Sequence, residues 1–211
     1  MIILSIDLGI KNLSYAVVDC SRYKTGTYES DDVRELARMV SRDVDIIDWE
    51  SINILEYNDC HSKTVTIEKL TQFMLNFFSS MSLIPDKVMI ESQPAGFHRR
   101  ANLKTKILSH VIQSFYYMKG IPCAFICPKH KIKICEPIPD SIKGKNRYNA
   151  TKQSAVNACL QYVHDDVNRS KFESISKQDD MADSYLQLLV VLALEELKIQ
   201  KKIRKKRKLK K

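Results

Sequence analysis

Four acidic residues stand where a carboxylate can be held on rigid backbone. Asp7 closes the apolar run MIILSID, and Glu91 follows a second short apolar run, Lys87 to Ile90 (KVMI). Runs with so few polar positions read as buried strands, so each acid lies at the rim of a sheet. Asp180 and Asp183, within KQDDMADSYLQLLVVLALEEL, have the spacing that puts two side chains on one side of a helix. Each acid alone has an ordinary explanation. A strand-end Asp forms turns, and acids in a first helical turn suit the dipole or cap it, which accounts for Asp179 and Asp180 better than for Asp183. Together, four acids able to converge at one sheet rim repel one another unless cations sit among them. Carboxylates are the hard oxygen ligands that Mg²⁺ takes, and two such ions can activate a water and stabilise the leaving oxygen of a phosphodiester.

The elements that must bring these acids together can be read in order. The sequence predicts a hairpin, with MIILSID joined through Gly9-Ile10-Lys11-Asn12 to Leu13–Val18. Residues 21–43 are polar, read as an insertion or long connection with a short helix at 33–40, and a third strand follows at 44–55. Ile67, Leu70, Met74, Phe77, Phe78 and Met81 fall at helical spacing, and Pro85-Asp86 ends that helix before the KVMI strand. A second helix carries Leu103, Ile107, Val111, Phe115 and Met118 on one face and ends at Gly120, ahead of a strand at 121–127. Residues 135–147 read as a loop, 150–163 as a third helix, and 178–198 as a fourth whose buried face is Met181, Tyr185, Leu188, Leu189 and Leu192. Three leading strands followed by alternating helices and strands predict an α/β fold, a mixed sheet with helices packed on both faces.

The charge of the chain is unevenly placed. Of its 34 Lys and Arg, ten lie in residues 198–211, which contain no acid, so the remaining 24 face 25 Asp and Glu. The expected organisation is one domain at 1–197 and a basic, disordered tail at 198–211, acting as a nucleic-acid contact or a nuclear-import signal. No apolar run has the length of a membrane span, and no signal-like segment opens the chain, so an intracellular protein is expected. The six cysteines are scattered without CxxC pairs, and Cys123, Cys127, His130 and Cys135 are too irregularly spaced for a zinc site; reduced thiols are expected. Glu50 is expected to face solvent, and His130 and His164 lie in no recognisable catalytic pairing.

One lysine stands out. Val156, Cys159, Leu160 and Val163 form the apolar stripe of the third helix, and Lys152 continues it at the helix start, beside the positive end of the dipole. It either snorkels along the surface or reaches into a site.

IDLGIKN, IESQP and DDMADS, in this order, resemble the three acidic motifs of the RNase H-like resolvases of the RuvC group. With IESQPAGF, the basic helix after it and PKHKIKI, the chain is most similar to the poxvirus Holliday junction resolvases, over residues 1–195. The resemblance implies a magnesium-dependent endonuclease that nicks four-way DNA junctions symmetrically as a homodimer, with Asp7, Glu91, Asp180 and Asp183 as metal ligands and Lys152 at the scissile phosphate or attacking water. Two Mg²⁺ per site are implied, with Mn²⁺ as an alternative, and a poxviral protein would work in the host-cell cytoplasm. Arg99, Arg100, Lys104, Lys106, Lys129, Lys131 and Lys133 are the expected DNA-backbone contacts. Two other readings remain: a related nuclease acting on RNA–DNA hybrid, and a non-catalytic DNA-binding module. A sugar-kinase fold, which also opens on a strand ending in Asp-x-Gly, is excluded because the five glycines are all isolated. Segments 21–43 and 136–147 are longer than the resemblance leads one to expect, as is the basic tail.

Overall fold

The computed structural model describes residues 1–57, 64–93 and 103–208. Strands β1 (Ile2–Leu8) and β2 (Asn12–Asp19) form the expected antiparallel hairpin, in a register that pairs Ile2 with Asp19 and Leu8 with Leu13. Its turn needs a glycine. The Gly9 amide donates to the Asn12 carbonyl at 2.8 Å, and a Cβ on Gly9 would lie 2.9 Å from that same oxygen. β3 (Asp45–Asn53) pairs antiparallel with β2, while β4 (Lys87–Glu91) and β5 (Cys123–Ile126) add in parallel beyond β1. The sheet order is β3-β2-β1-β4-β5, a mixed sheet led by three antiparallel strands, as expected.

Side-chain alternation divides the strands between two cores. Ile3, Ala16, Val18 and Met89 join one apolar cluster; Leu4, Ile6, Leu8, Tyr15, Val17, Val88 and Ile90 join the other. The first is covered by α1 (Val33–Ser41), α5 (Gly144–Tyr162), α6 (Asp166–Ser174) and α7 (Gln178–Lys208). The second is covered by α2 (Ile54–Tyr57), α3 (Ile67–Ser80) and α4 (Leu103–Met118). Helices therefore lie on both faces, and Asp7 and Glu91, in phase with Ile3 and Met89, face the α7 side.

Several elements differ from expectation, each for a local reason. Helix α6 stands where a polar connection was expected; Asp165 caps it by accepting from the amides of Val167 and Asn168, both at 3.0 Å. Helix α5 begins at Gly144, inside the expected loop, and the Lys131–Ile134 segment of PKHKIKI is a short 3-10 helix. In α4 the core takes Leu108, Ile112 and Tyr116; of the expected stripe Phe115 packs against the second cluster, while Leu103, Ile107 and Met118 point outward, 66%, 40% and 89% exposed. Among the described residues Cys20, Cys123, Cys127, Cys135 and Cys159 are all free thiols.

Helix α7 crosses the expected boundary at 197 without a break and continues through Lys208, so residues 198–208 of the basic run are helical where a disordered tail is expected. Contacts with the loop after β2 hold this extension. Glu196, fully buried, accepts from the Tyr23 hydroxyl at 2.7 Å and from the Gly26 amide at 2.8 and 2.9 Å, while the Gln200 amide donates to the Gly26 carbonyl at 3.4 Å. Gly26 has φ 88°, a conformation side-chain-bearing residues rarely adopt, and this presents its amide to the carboxylate. Arg204 pairs with Asp31 one turn further on. Glu196→Ala leaves two donors without their acceptor and should destabilise the fold by about 3 kcal/mol, measured by urea unfolding. Limited proteolysis should then cut first within residues 20–32.

Candidate active site

Asp7 and Glu91 come together through strand register. Ile6 pairs with Ile90 in the parallel β1–β4 ladder, so the next residue of each strand, an acid, lies beside the other on the same face. Helix α7 crosses that face. Trp49 of β3 fixes its start: the indole N–H donates to the Met181 carbonyl at 3.0 Å, and the ring stacks on Phe172 at 4.9 Å and against Tyr185 at 5.6 Å. Further along, the Gln187 amide donates to the Ser5 hydroxyl at 3.2 Å within the core. Two attachments to the sheet set the rotation of α7, and Asp183 then faces the strand ends.

Carboxylate oxygens of Asp7, Glu91 and Asp183 lie within 4.8 Å of one another, all three half-buried. Asp180 is electrostatically close to Asp7 and Asp183 but lies outside this triad, its Oδ2 accepting from the Asn12 side-chain amide at 2.6 Å. Asn12 closes the β1–β2 turn, so the hairpin that presents Asp7 also orients Asp180. The Gln93 amide donates to the Leu8 carbonyl at 3.1 Å, tying the chain after Glu91 to the end of β1.

The cation within the cluster is Lys131. Its ammonium lies 3.0 Å from Glu91 Oε2 and 2.5 Å from Asp183 Oδ2, with the side chain 15% exposed. Lys131 is one of the expected DNA-backbone contacts, and the structure places it among the acids and not on the open surface. The 3-10 helix is the reason, because it turns Lys131 inward while Lys129 and Lys133 stay exposed. The alternation of lysines in PKHKIKI carries no signal that singles out the middle one.

Lys152, expected at the reacting phosphate, pairs instead with Asp179, and its ammonium lies 5.1 Å from the centroid of the Tyr148 ring. Burial opposes its charge, but the bond to Asp179 outweighs that and holds the lysine charged. Of the expected backbone contacts, Lys106, Lys129 and Lys133 are exposed, whereas the Lys104 ammonium donates to the Val65 carbonyl at 2.7 Å. Arg99 and Arg100 lie outside the described residues. Glu50 pairs with Lys171 at 3.0 Å, and His164 hydrogen-bonds Ser41 at 3.0 Å, so neither joins the acids.

Crowding sets the protonation of the cluster. Burial, then the charges of Glu91 and Asp183, push Asp7 well above the ordinary carboxylate range, against the pull of Lys131. Burial raises Asp183 to about 6 even though Lys131 lowers it, with Glu91 and Asp180 raising it further. Lys131 is correspondingly held charged: burial would lower its pKa, but Asp183, Glu91 and Asp7 raise it above that of an ordinary lysine. The donors are all carboxylate oxygens at spacings one cation can bridge, the set that suits hard divalent ions such as Mg²⁺ and Mn²⁺.

The family model described as Poxvirus A22 protein matches residues 1–201. The chain belongs to this family. No curated protein sequence matches it. Its fold is similar to that of the yeast mitochondrial Holliday junction resolvase Ydc2, with 17% identity and a TM-score of 0.64 over 97% of this chain and 83% of that one. It is also similar to the fowlpox virus resolvase solved with Holliday junction DNA, with 21% identity and a TM-score of 0.52 over 91% of this chain and 97% of that one. These likenesses identify the RNase H-like fold, in which the rim holding Asp7, Glu91 and Asp183 is the end of the central strands.

In this A22-family chain the folded state binds the Asp183 proton more tightly than the unfolded chain does. Stability of the metal-free protein should therefore be greatest near the ordinary carboxylate range and fall as pH rises through about 6, with Asp7 adding to the slope. Thermal unfolding in chelator should give a Tm roughly 3–6 °C lower at pH 7.5 than at pH 5. Asp183→Asn should flatten that dependence.

Proposed function

We propose that this chain is a structure-selective DNA endonuclease that resolves four-way junctions and other branched DNA by symmetric nicking, acting on viral DNA concatemers. The observation that carries the reading is the convergence of Asp7, Glu91 and Asp183 within 4.8 Å, in a chain of the Poxvirus A22 family whose fold is similar to known resolvases. Asp7, Glu91, Asp180 and Asp183 would hold two Mg²⁺, or Mn²⁺ in their place, which supply positive charge to the attacking and leaving oxygens of a phosphodiester. Asn12 orients Asp180 with a neutral donor, leaving the carboxylate its charge for a ligand. Lys131 pairs with both Glu91 and Asp183 in the metal-free protein, and we assign it, ahead of Lys152, as the lysine that stabilises charge at the scissile phosphate. Lys106, Lys129 and Lys133 are exposed and suit contact with the DNA backbone.

A junction offers two equivalent cut sites, which a two-fold protein can engage together. The outward stripe of α4 suits contact with a second copy: Leu103, Ile107 and Met118 would bury large apolar side chains that the monomer leaves in water. We propose the host-cell cytoplasm as the compartment. No helix among the described residues is long and apolar enough to cross a membrane.

The deciding experiment compares cutting of a labelled mobile four-way junction with that of duplex, flap and RNA–DNA hybrid, in Mg²⁺ and in chelator. The expected result is paired nicks in the junction, absent in chelator and reduced at least 1000-fold in Asp183→Asn and about 100-fold in Lys131→Ala. Preferential cutting of hybrid would move the protein to another nuclease class, and tight junction binding without cutting in any metal would leave a binding module. Separately, Ile107→Glu should shift the protein from dimer to monomer in light scattering while its circular dichroism is kept. Nicks in the two opposing strands should then become uncoupled.

A further inference from the structure

A cavity of about 260 Å³ opens beside the acids, between the Lys131–Ile134 segment, α5 and the start of α7. Asp180 and Asp183 line it, and Ile132, Ile138, Tyr148 and Ala155 contribute apolar wall. An active site that only held metal ions and a phosphate would gain nothing from such walls, because both ligands are charged and hydrated. The one part of a nucleotide that gains by leaving water for an apolar slot is the base.

We propose that this cavity receives the nucleobase next to the scissile phosphate, unstacked from the branch point, with Tyr148 as its stacking face. Tyr148 suits that part because it is 61% exposed and belongs to neither apolar core. The Lys152 ammonium lies 5.1 Å from its ring centroid, and the pairing of Lys152 with Asp179 ties this brace to α7. Lys152 thus positions an aromatic face and does not reach the acids. The cavity adjoins Asp180 and Asp183, so a phosphate bound there brings its own nucleoside to the opening. A base at a branch point has lost part of its stacking already, so withdrawing it is easier than from continuous duplex. Selectivity for branched over continuous duplex DNA would then follow from that lost stacking.

This inference rests on the acids acting at the scissile phosphate, and the experiment separates the two claims. A junction with a fixed crossover and a mapped nick is prepared with a single abasic site at each position flanking that nick, and cutting rates are measured for wild type, Tyr148→Ala and Tyr148→Phe. In wild type, an abasic site at one flanking position should slow cutting about tenfold, while the other positions have little effect. Tyr148→Ala should slow the intact junction by a similar factor and should lose nothing more when that base is absent; Tyr148→Phe, which keeps the aromatic face, should retain the sensitivity to the missing base. Non-additivity of this kind is the signature of a direct contact. Full additivity, or no flanking position singled out, overturns the cavity's role while metal-dependent nicking stands. Absence of any metal-dependent nick removes both claims. Because Tyr148 is exposed, unchanged thermal unfolding of Tyr148→Ala should confirm that the effect is local.

Discussion

The arrangement at the sheet rim is governed by repulsion among carboxylates that are partly withdrawn from water. Asp7, Glu91 and Asp183 bring oxygens within 4.8 Å of one another, where electrostatic interactions are screened far less than on the open surface. The metal-free cluster is tolerable for two reasons: Lys131 sits between Glu91 and Asp183, and crowding keeps protons on Asp7 and Asp183 to higher pH than usual. Both reliefs are ones a bound cation replaces, and a divalent ion delivers twice the charge of an ammonium.

Holding like charges together demands a scaffold that cannot relax away from them. Two strands do this through a parallel register that leaves no freedom in the separation of Asp7 and Glu91. Helix α7 does it by attachment at widely spaced points: Trp49 to the Met181 carbonyl, Gln187 to Ser5, and Glu196 to the Tyr23–Gly26 loop. Rotating α7 to separate Asp183 from the strand ends would break buried hydrogen bonds and unstack Trp49 from Phe172. The repulsion is therefore carried by the core.

Much of this was legible in the sequence, because the strongest signals are local. An apolar run ending in an acid marks both Asp7 and Glu91, and the spacing of Asp180 and Asp183 puts them on one side of a helix whatever the tertiary fold. What stayed hidden depends on geometry that spacing does not encode. Lys152 stands out in the sequence because it continues an apolar helical stripe, whereas nothing in the spacing marks Lys131, which is turned inward by a 3-10 helix of only four residues. In α4 the apolar stripe was visible, but not that the core uses its neighbours Leu108, Ile112 and Tyr116. The basic run after Lys198 resembled a solvated tail because like charges one turn apart disfavour a helix; the buried Glu196 and Gln200 overcome that, and no periodicity announces them.

The three acids at the start of α7 also show how adjacent carboxylates are given different tasks. Asp179 meets Lys152, and although burial opposes its charge, that lysine holds its pKa below the ordinary value. Its charge is used up within the protein. Asp183 shares Lys131 with Glu91, a partner that a stronger cation can displace. Among the described residues, the side chain that bonds Asp180 is the neutral amide of Asn12, which fixes its direction without pairing it to a cation. Among the described residues, the cation paired with this cluster is the single ammonium of Lys131, bonded to Glu91 and Asp183. A cluster balanced for structural purposes would carry more positive charge or fewer acids. The imbalance is what a site needs if its remaining charge is to be neutralised by bound cations, on side chains whose directions are already set.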